Sequence, residues 1–150
     1  MTNSEALRIM NEKLVVYGLR EKGWNAELSN TKRALGECRY CTKTVRVSRH
    51  HIECSSADSV IDTILHEIAH AIDFENRGRS GHDAEWRRVA VMVGATPRAN
   101  KAHAYNIKKP VYKYDVVCPK CGKLGSRNRK SRGIYRCKKC ISVVEFKQNY

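Results

Sequence analysis

His66-Glu67-Ile68-Ala69-His70 breaks an otherwise apolar stretch that runs from Val60 to Ile72. Apolar residues at Val60, Ile61, Ile64, Leu65, Ile68, Ala69 and Ile72 recur with helical spacing, and the wide face they make predicts a central helix. Ser55 or Ser56 can cap it, with Asp58 in its first turn. Residues four apart share a helix face, so the ring nitrogens of His66 and His70 can reach one ion. Glu67 projects beside them, where it can take a proton from metal-activated water without ligating the metal. Burying these three polar groups in an apolar helix without an ion would leave them poorly satisfied. The stretch therefore points to a zinc hydrolase of the peptidase type, with Glu67 passing its proton on to the leaving amine.

A catalytic zinc takes three protein ligands and leaves one position open. The elongated pattern H-E-x-x-H-x-x-G-x-x-H does not apply, because Asp73 and Asn76 stand where its glycine and third histidine belong. His82 is the strongest third ligand: it follows Gly81 and precedes a helix that Asp83 can cap. Its neutral imidazole leaves the site dipositive, which favours an acidic bound water. Glu85, Glu75 and His103 are the alternatives. Trp86, Val89, Ala90 and Val93 give the second helix its apolar face, and Gly94 with Pro97 ends it. The sequence does not identify an oxyanion helper: Tyr105 and His103 are candidates, but each reads first as a surface residue on the following connector, residues 98–112.

Upstream, Ala6, Leu7, Met10, Leu14, Val16 and Tyr17 predict an amphipathic helix within residues 4–20, capped by Asn3 or Ser4. Trp24 to Leu28 and Lys43 to Ser48 read as short strands. Cys38-x-x-Cys41 with Cys54 and His50 or His51 has inconclusive metal spacing, and free thiols are the favoured reading.

Cys118-Pro119-Lys120-Cys121 and Cys137-Lys138-Lys139-Cys140 stand fifteen residues apart. Two such knuckles at this distance predict a structural tetrathiolate zinc in a ribbon. Seven cysteines, four of them so paired, point to metal in a reducing compartment rather than to disulfides. The chain carries a net charge of +14. Residues 111–150 hold 11 Lys/Arg against 2 acids, and residues 1–110 hold 18 against 13, so the excess gathers at the ribbon. Arg127, Arg129, Lys130, Arg132 and Arg136 can track phosphates and Tyr135 can stack on a base. DNA, bound without sequence preference, is the expected partner.

At 150 residues the chain suits one domain plus a small appendage. No apolar run is long enough to span a bilayer, and the start lacks the pattern of a signal peptide. The expectation is a cytoplasmic monomer, nucleoid-associated or, for a viral protein, in the host cytoplasm.

The combination His66-Glu67-x-x-His70, Gly81-His82-x-x-x-Trp86 and a basic four-cysteine ribbon resembles the SprT-like, Spartan-related metalloproteases. Leu35-Gly36-Glu37-Cys38 followed by Val45-Arg46-Val47-Ser48 is similar to that family's strand segment. The resemblance covers roughly residues 5–145. It implies an α+β fold: a small zincin-like core with a central H-E-x-x-H helix and a short sheet (1–112), then a zinc ribbon (113–150). It implies His66, His70 and His82 as ligands of a catalytic zinc, Glu67 as base, and a second zinc on Cys118, Cys121, Cys137 and Cys140. It also implies cleavage of DNA-bound or DNA-crosslinked proteins. One departure is Ile141, which follows the last cysteine where the family often has glycine. A DNA-binding regulator with a non-proteolytic core, and a hydrolase of small molecules, are the competing readings.

Overall fold

Ser56 opens the helix on which everything else in the first unit is laid. Its hydroxyl accepts from Ser59 N–H at 3.3 Å, and the helix runs over Ala57–Arg77 to a left-handed Gly78 (φ 71°) that closes it onto Phe74 O. The computed structural model describes residues 1–98 and 111–150. It divides into two compact units, Met1–Lys108 and Lys109–Tyr150; His103 and Tyr105 lie outside the described residues.

In chain order the first unit contains α1 (Asn3–Val16), β1 (Asn25–Ser29), β2 (Gly36–Arg39), β3 (Thr44–Ser48), α2 (Arg49–Cys54), α3 (Ala57–Arg77) and α4 (Ala84–Val93). The cap of α1 is Thr2, not Asn3 or Ser4. Thr2 Oγ1 accepts from Glu5 N–H while Glu5 accepts from Thr2 N–H. Only Thr2 has a glutamate three residues on, so only it can satisfy two N-terminal donors reciprocally. α1 stops at Val16 because Gly18, at φ 66°, turns the chain.

The sheet order is β1-β3-β2, with β3 parallel to β1 and antiparallel to β2. Central β3 is therefore flanked on both edges. Val45 and Val47 are fully buried in a core shared with Met10, Leu14, Trp24, Val60, Ile64 and Ile68. Arg46 points to the other face, 3.5 Å from both Glu27 and Glu37, its register partners on the flanking strands.

α2 carries no periodic signal, being only six residues long. Ser48 caps it, and its His51 is fastened to α3. The Thr63 hydroxyl donates to Ser59 O at 3.0 Å, so it accepts from His51 Nε2 at 2.9 Å.

The second unit is a three-stranded antiparallel sheet of β4 (Tyr114–Cys118), β5 (Gly122–Arg127) and β6 (Glu145–Gln148), ordered β5-β4-β6. Its buried apolar content is small: Cys118, Cys137 and Val144, with Val116, Cys140 and Phe146 packed against them.

Candidate functional site

His66, Glu67 and His70 all lie on α3 and all are buried, at 7%, 8% and 7% exposure. The loop after Gly78 brings His82 back onto them. The Nε2 atoms form a near-equilateral triangle: His66 to His82 3.1 Å, His70 to His82 3.1 Å and His66 to His70 3.3 Å. A tetrahedral zinc with bonds of 2.0–2.1 Å spaces its nitrogen ligands about 3.3 Å apart. The three rings thus fit one ion, with His82 on the exposed side.

Two of the three alternatives for the third ligand are engaged elsewhere, and the other, His103, lies outside the described residues. Glu75 accepts from Trp24 Nε1 and pairs with Lys43 Nζ, both at 2.8 Å. Glu85 pairs with Arg88 at 2.7 Å on the surface of α4.

Trp86, in the first turn of α4 and fully buried, walls the group. Its ring centroid lies 4.6 Å from those of His66 and His82 and 5.0 Å from that of His70. An apolar wall of this kind excludes water and fixes ring orientation. The loop between α3 and α4 is bracketed by charge. Arg77 donates two bonds to buried Asp73, at 2.7 and 2.8 Å, and a third to Asp83 at 2.7 Å. Asp83 in turn caps α4 through Trp86 N–H. The Arg77 guanidinium, with the Trp86 amide, holds the Asp83 carboxyl down at about 2.

Glu67 meets β2. A Cβ built on Gly36 would lie 2.8 Å from Glu67 Cγ and Oε1 and 2.9 Å from Thr63 Cγ2. The missing side chain is what lets the strand pass directly over the carboxylate. Cys38, two residues on, is half-buried near it; desolvation first, then the charge of Glu67, pushes its thiol far up. A thiol pushed up in this way yields little thiolate, the reactive form. Among the described residues no group of metal-holding side chains includes Cys38, Cys41 or Cys54.

One further residue reaches the histidines and another stands behind it, and sequence reading missed both. Ser80 Oγ lies 2.9 Å from His70 Nδ1. Ser80 also interacts with the phenol of Tyr40, whose ring stacks on Phe74 with centroids 4.7 Å apart.

In the second unit the four sulfurs of Cys118, Cys121, Cys137 and Cys140 lie within 4.8 Å of one another, and those of Cys118 and Cys140 are 3.3 Å apart. A tetrahedral zinc with bonds of 2.3 Å needs spacings of about 3.8 Å, so this set fits a metal as well. The thiols share their bonds unequally. Ser142 pulls Cys140 down to about 6, while side-chain bonds from Cys140 and Cys137 push Cys121 up to about 12. Each knuckle closes with a left-handed residue: Gly122 at φ 81° after the first, Ile141 at φ 60° after the second.

The basic residues divide into two groups. Arg127, Tyr135 and Arg136 line a cavity of about 310 Å³ floored by Val116, Val144 and Phe146. The Arg127 guanidinium sits 5.9 Å from the Tyr135 ring centroid. Arg129, Lys130 and Arg132 stay outside the cavity, exposed on the loop beyond β5. Lys138 and Lys139 join the cavity rim; their place between two knuckle cysteines, where the tight turn exposes side chains, was the available signal.

The family model of the SprT-like family matches residues 4–108. The Germ cell nuclear acidic-1 protein of Caenorhabditis elegans is 29% identical over 121 residues, 76% of this chain and 20% of that protein. The Germ cell nuclear acidic protein of Drosophila melanogaster is 27% identical over 96 residues, 60% of this chain and 9% of its own length. The chain therefore spans a fifth or less of the curated relatives it matches. No solved structure matches it. Among the described residues no helix is long and apolar enough to cross a membrane.

Proposed function

The chain belongs to the SprT-like family, and from that premise we propose that it is a zinc-dependent endopeptidase acting on proteins bound or crosslinked to DNA. The observation that carries this reading is the triangle of Nε2 atoms with buried Glu67 beside it on the same helix. His66, His70 and His82 would hold the catalytic zinc, and the four ribbon cysteines a structural one. Bound there, zinc supplies Lewis acidity, making water nucleophilic near neutral pH and polarising a peptide carbonyl. Glu67 accepts the proton of the attacking water and delivers it to the leaving nitrogen. Trp86 keeps bulk water from the ligand rings.

A polypeptide substrate is supported by β2. It is an edge strand of its sheet, and Gly36 runs against the Glu67 carboxylate. An extended peptide added to that edge would place its backbone along the site by main-chain hydrogen bonds. A small molecule has no use for such an edge. Nucleic acid is supported by the ribbon's charge and by the cavity that joins Arg127, Tyr135 and Arg136. The relatives' names call them nuclear, which favours a DNA-containing compartment over cytoplasm as such.

The test is cleavage of a DNA-binding protein by the zinc-loaded chain, with and without single-stranded DNA, beside Glu67→Gln. DNA-stimulated cleavage is expected, reduced about 10²–10⁴-fold in the variant. Cleavage indifferent to DNA would remove the ribbon from the reading. Tight DNA binding with no cleavage in any condition would replace it with a DNA-binding regulator.

A further inference from the structure

The loop that supplies His82 also touches His70, and on its opposite edge. His70 presents Nε2 to His66 and His82 at 3.3 and 3.1 Å, and Nδ1 to Ser80 Oγ at 2.9 Å. An imidazole that ligates through Nε2 carries its proton on Nδ1 and needs an acceptor there. A metal-binding histidine is commonly fixed by such a partner, which sets its tautomer and raises its basicity. Ser80 provides the acceptor. The Tyr40 phenol, with which Ser80 also interacts, is available to take its hydroxyl proton.

The arrangement is held from two directions. Tyr40 precedes β3 and is fixed by stacking on Phe74, one helical turn after His70 on α3. Ser80 is fixed by the bracket around its loop, where Arg77 joins Asp73 at one end to Asp83 at the other. The Ser80 hydroxyl meets the edge of His70 away from the ligand triangle, because Nδ1 and Nε2 lie on different sides of the ring.

We infer that Ser80, steadied by Tyr40, is a positioning residue that locks His70 in the Nδ1–H tautomer and so sets the metal affinity of the three-histidine site. This rests on the reading that His66, His70 and His82 hold zinc. Cobalt titration of the metal-stripped full chain tests both and separates them. Thiolate-to-cobalt charge-transfer bands report the cysteine site, and the d–d bands that disappear in His66→Ala report the histidine site.

The wild-type chain is expected to bind two equivalents. Ser80→Ala is expected to bind at the histidine site about tenfold more weakly or worse, with the cysteine site unchanged. Ser80→Thr, which keeps the hydroxyl, should recover most of the affinity, and Tyr40→Phe should fall between Ser80→Ala and wild type. Melting of the metal-free proteins checks that the loop variants fold alike. Two equivalents in wild type with Ser80→Ala equal to it would overturn the positioning role alone, as would a Ser80→Thr no better than alanine. Binding of one equivalent by wild type, at the cysteines, would overturn the zinc reading and this one with it.

Discussion

The two units hold their metal-ligand groups in opposite ways. In the first, α3 carries a continuous apolar face against β3 and α1, and the histidines are a polar interruption in a core that already exists. In the second, two of the three most buried residues are themselves cysteines of the metal group, and little apolar surface remains. An ion in the first is an addition to a folded unit; an ion in the second is a large part of what folds it. The same chelator should therefore do two different things to one chain.

The largest expected effect breaks the comparison if it fails. Stripping metal with a strong chelator should unfold residues 109–150 and leave the first unit folded. Structural zinc is linked to roughly 10 kcal/mol or more of folding free energy in modules this small. Residue-resolved hydrogen exchange reads it: protection lost in β4 to β6 and kept in α3. Loss of protection in α3 as well would show that the histidine site also folds around its ion.

A smaller effect asks what holds the first site in place. Arg77→Ala leaves buried Asp73 without its partner and releases the loop that bears Ser80 and His82. The variant should lose about 3 kcal/mol of stability, the usual scale for stranding one member of a buried ion pair, as read by denaturant melting of the metal-free chain. Unchanged stability would show that the bracket is ornamental. Gly36→Ala then probes Glu67 without touching a ligand. The new Cβ must displace the carboxylate or the strand, so cleavage should fall about hundredfold, the scale of a displacement near 1 Å, with metal content unaltered.

The least effect sharpens the ribbon side. A β-branched residue at φ 60° is strained by about 1 kcal/mol, so Ile141→Gly should tighten metal at the cysteines about fivefold. Gly122 shows the relaxed version of the same turn in the same unit. No gain in affinity would mean that the flexibility of glycine offsets the relief of strain.

What could be read from the sequence follows from what has a period or a spacing. The α3 pattern repeats every 3.6 residues, so His66, Glu67 and His70 stand out from it, and two knuckles fifteen residues apart define the cysteine group. His82 was legible from a loop glycine before a capping aspartate. Gly36, Tyr40 and Ser80 were not, because each acts through one tertiary approach that leaves no trace along the chain. α2 was too short to show a period. The shared environment of Cys38 and Glu67 depends on β2 crossing α3, which no local residue announces. Thr2 stands in a run of three capping residue types, Thr2, Asn3 and Ser4, and only the Glu5 three residues on singles it out.

The edge position of β2 has a second consequence. An edge that can receive one extended peptide can receive any other, including the same strand of another copy. Pairing of that kind joins two copies edge to edge, and proteins suppress it with brevity and outward charge. β2 has both: it is four residues long, and Glu37 and Arg39 pair at 3.1 Å with their side chains half exposed. Those charges oppose the pairing of two copies through this edge while leaving its backbone open to an extended peptide.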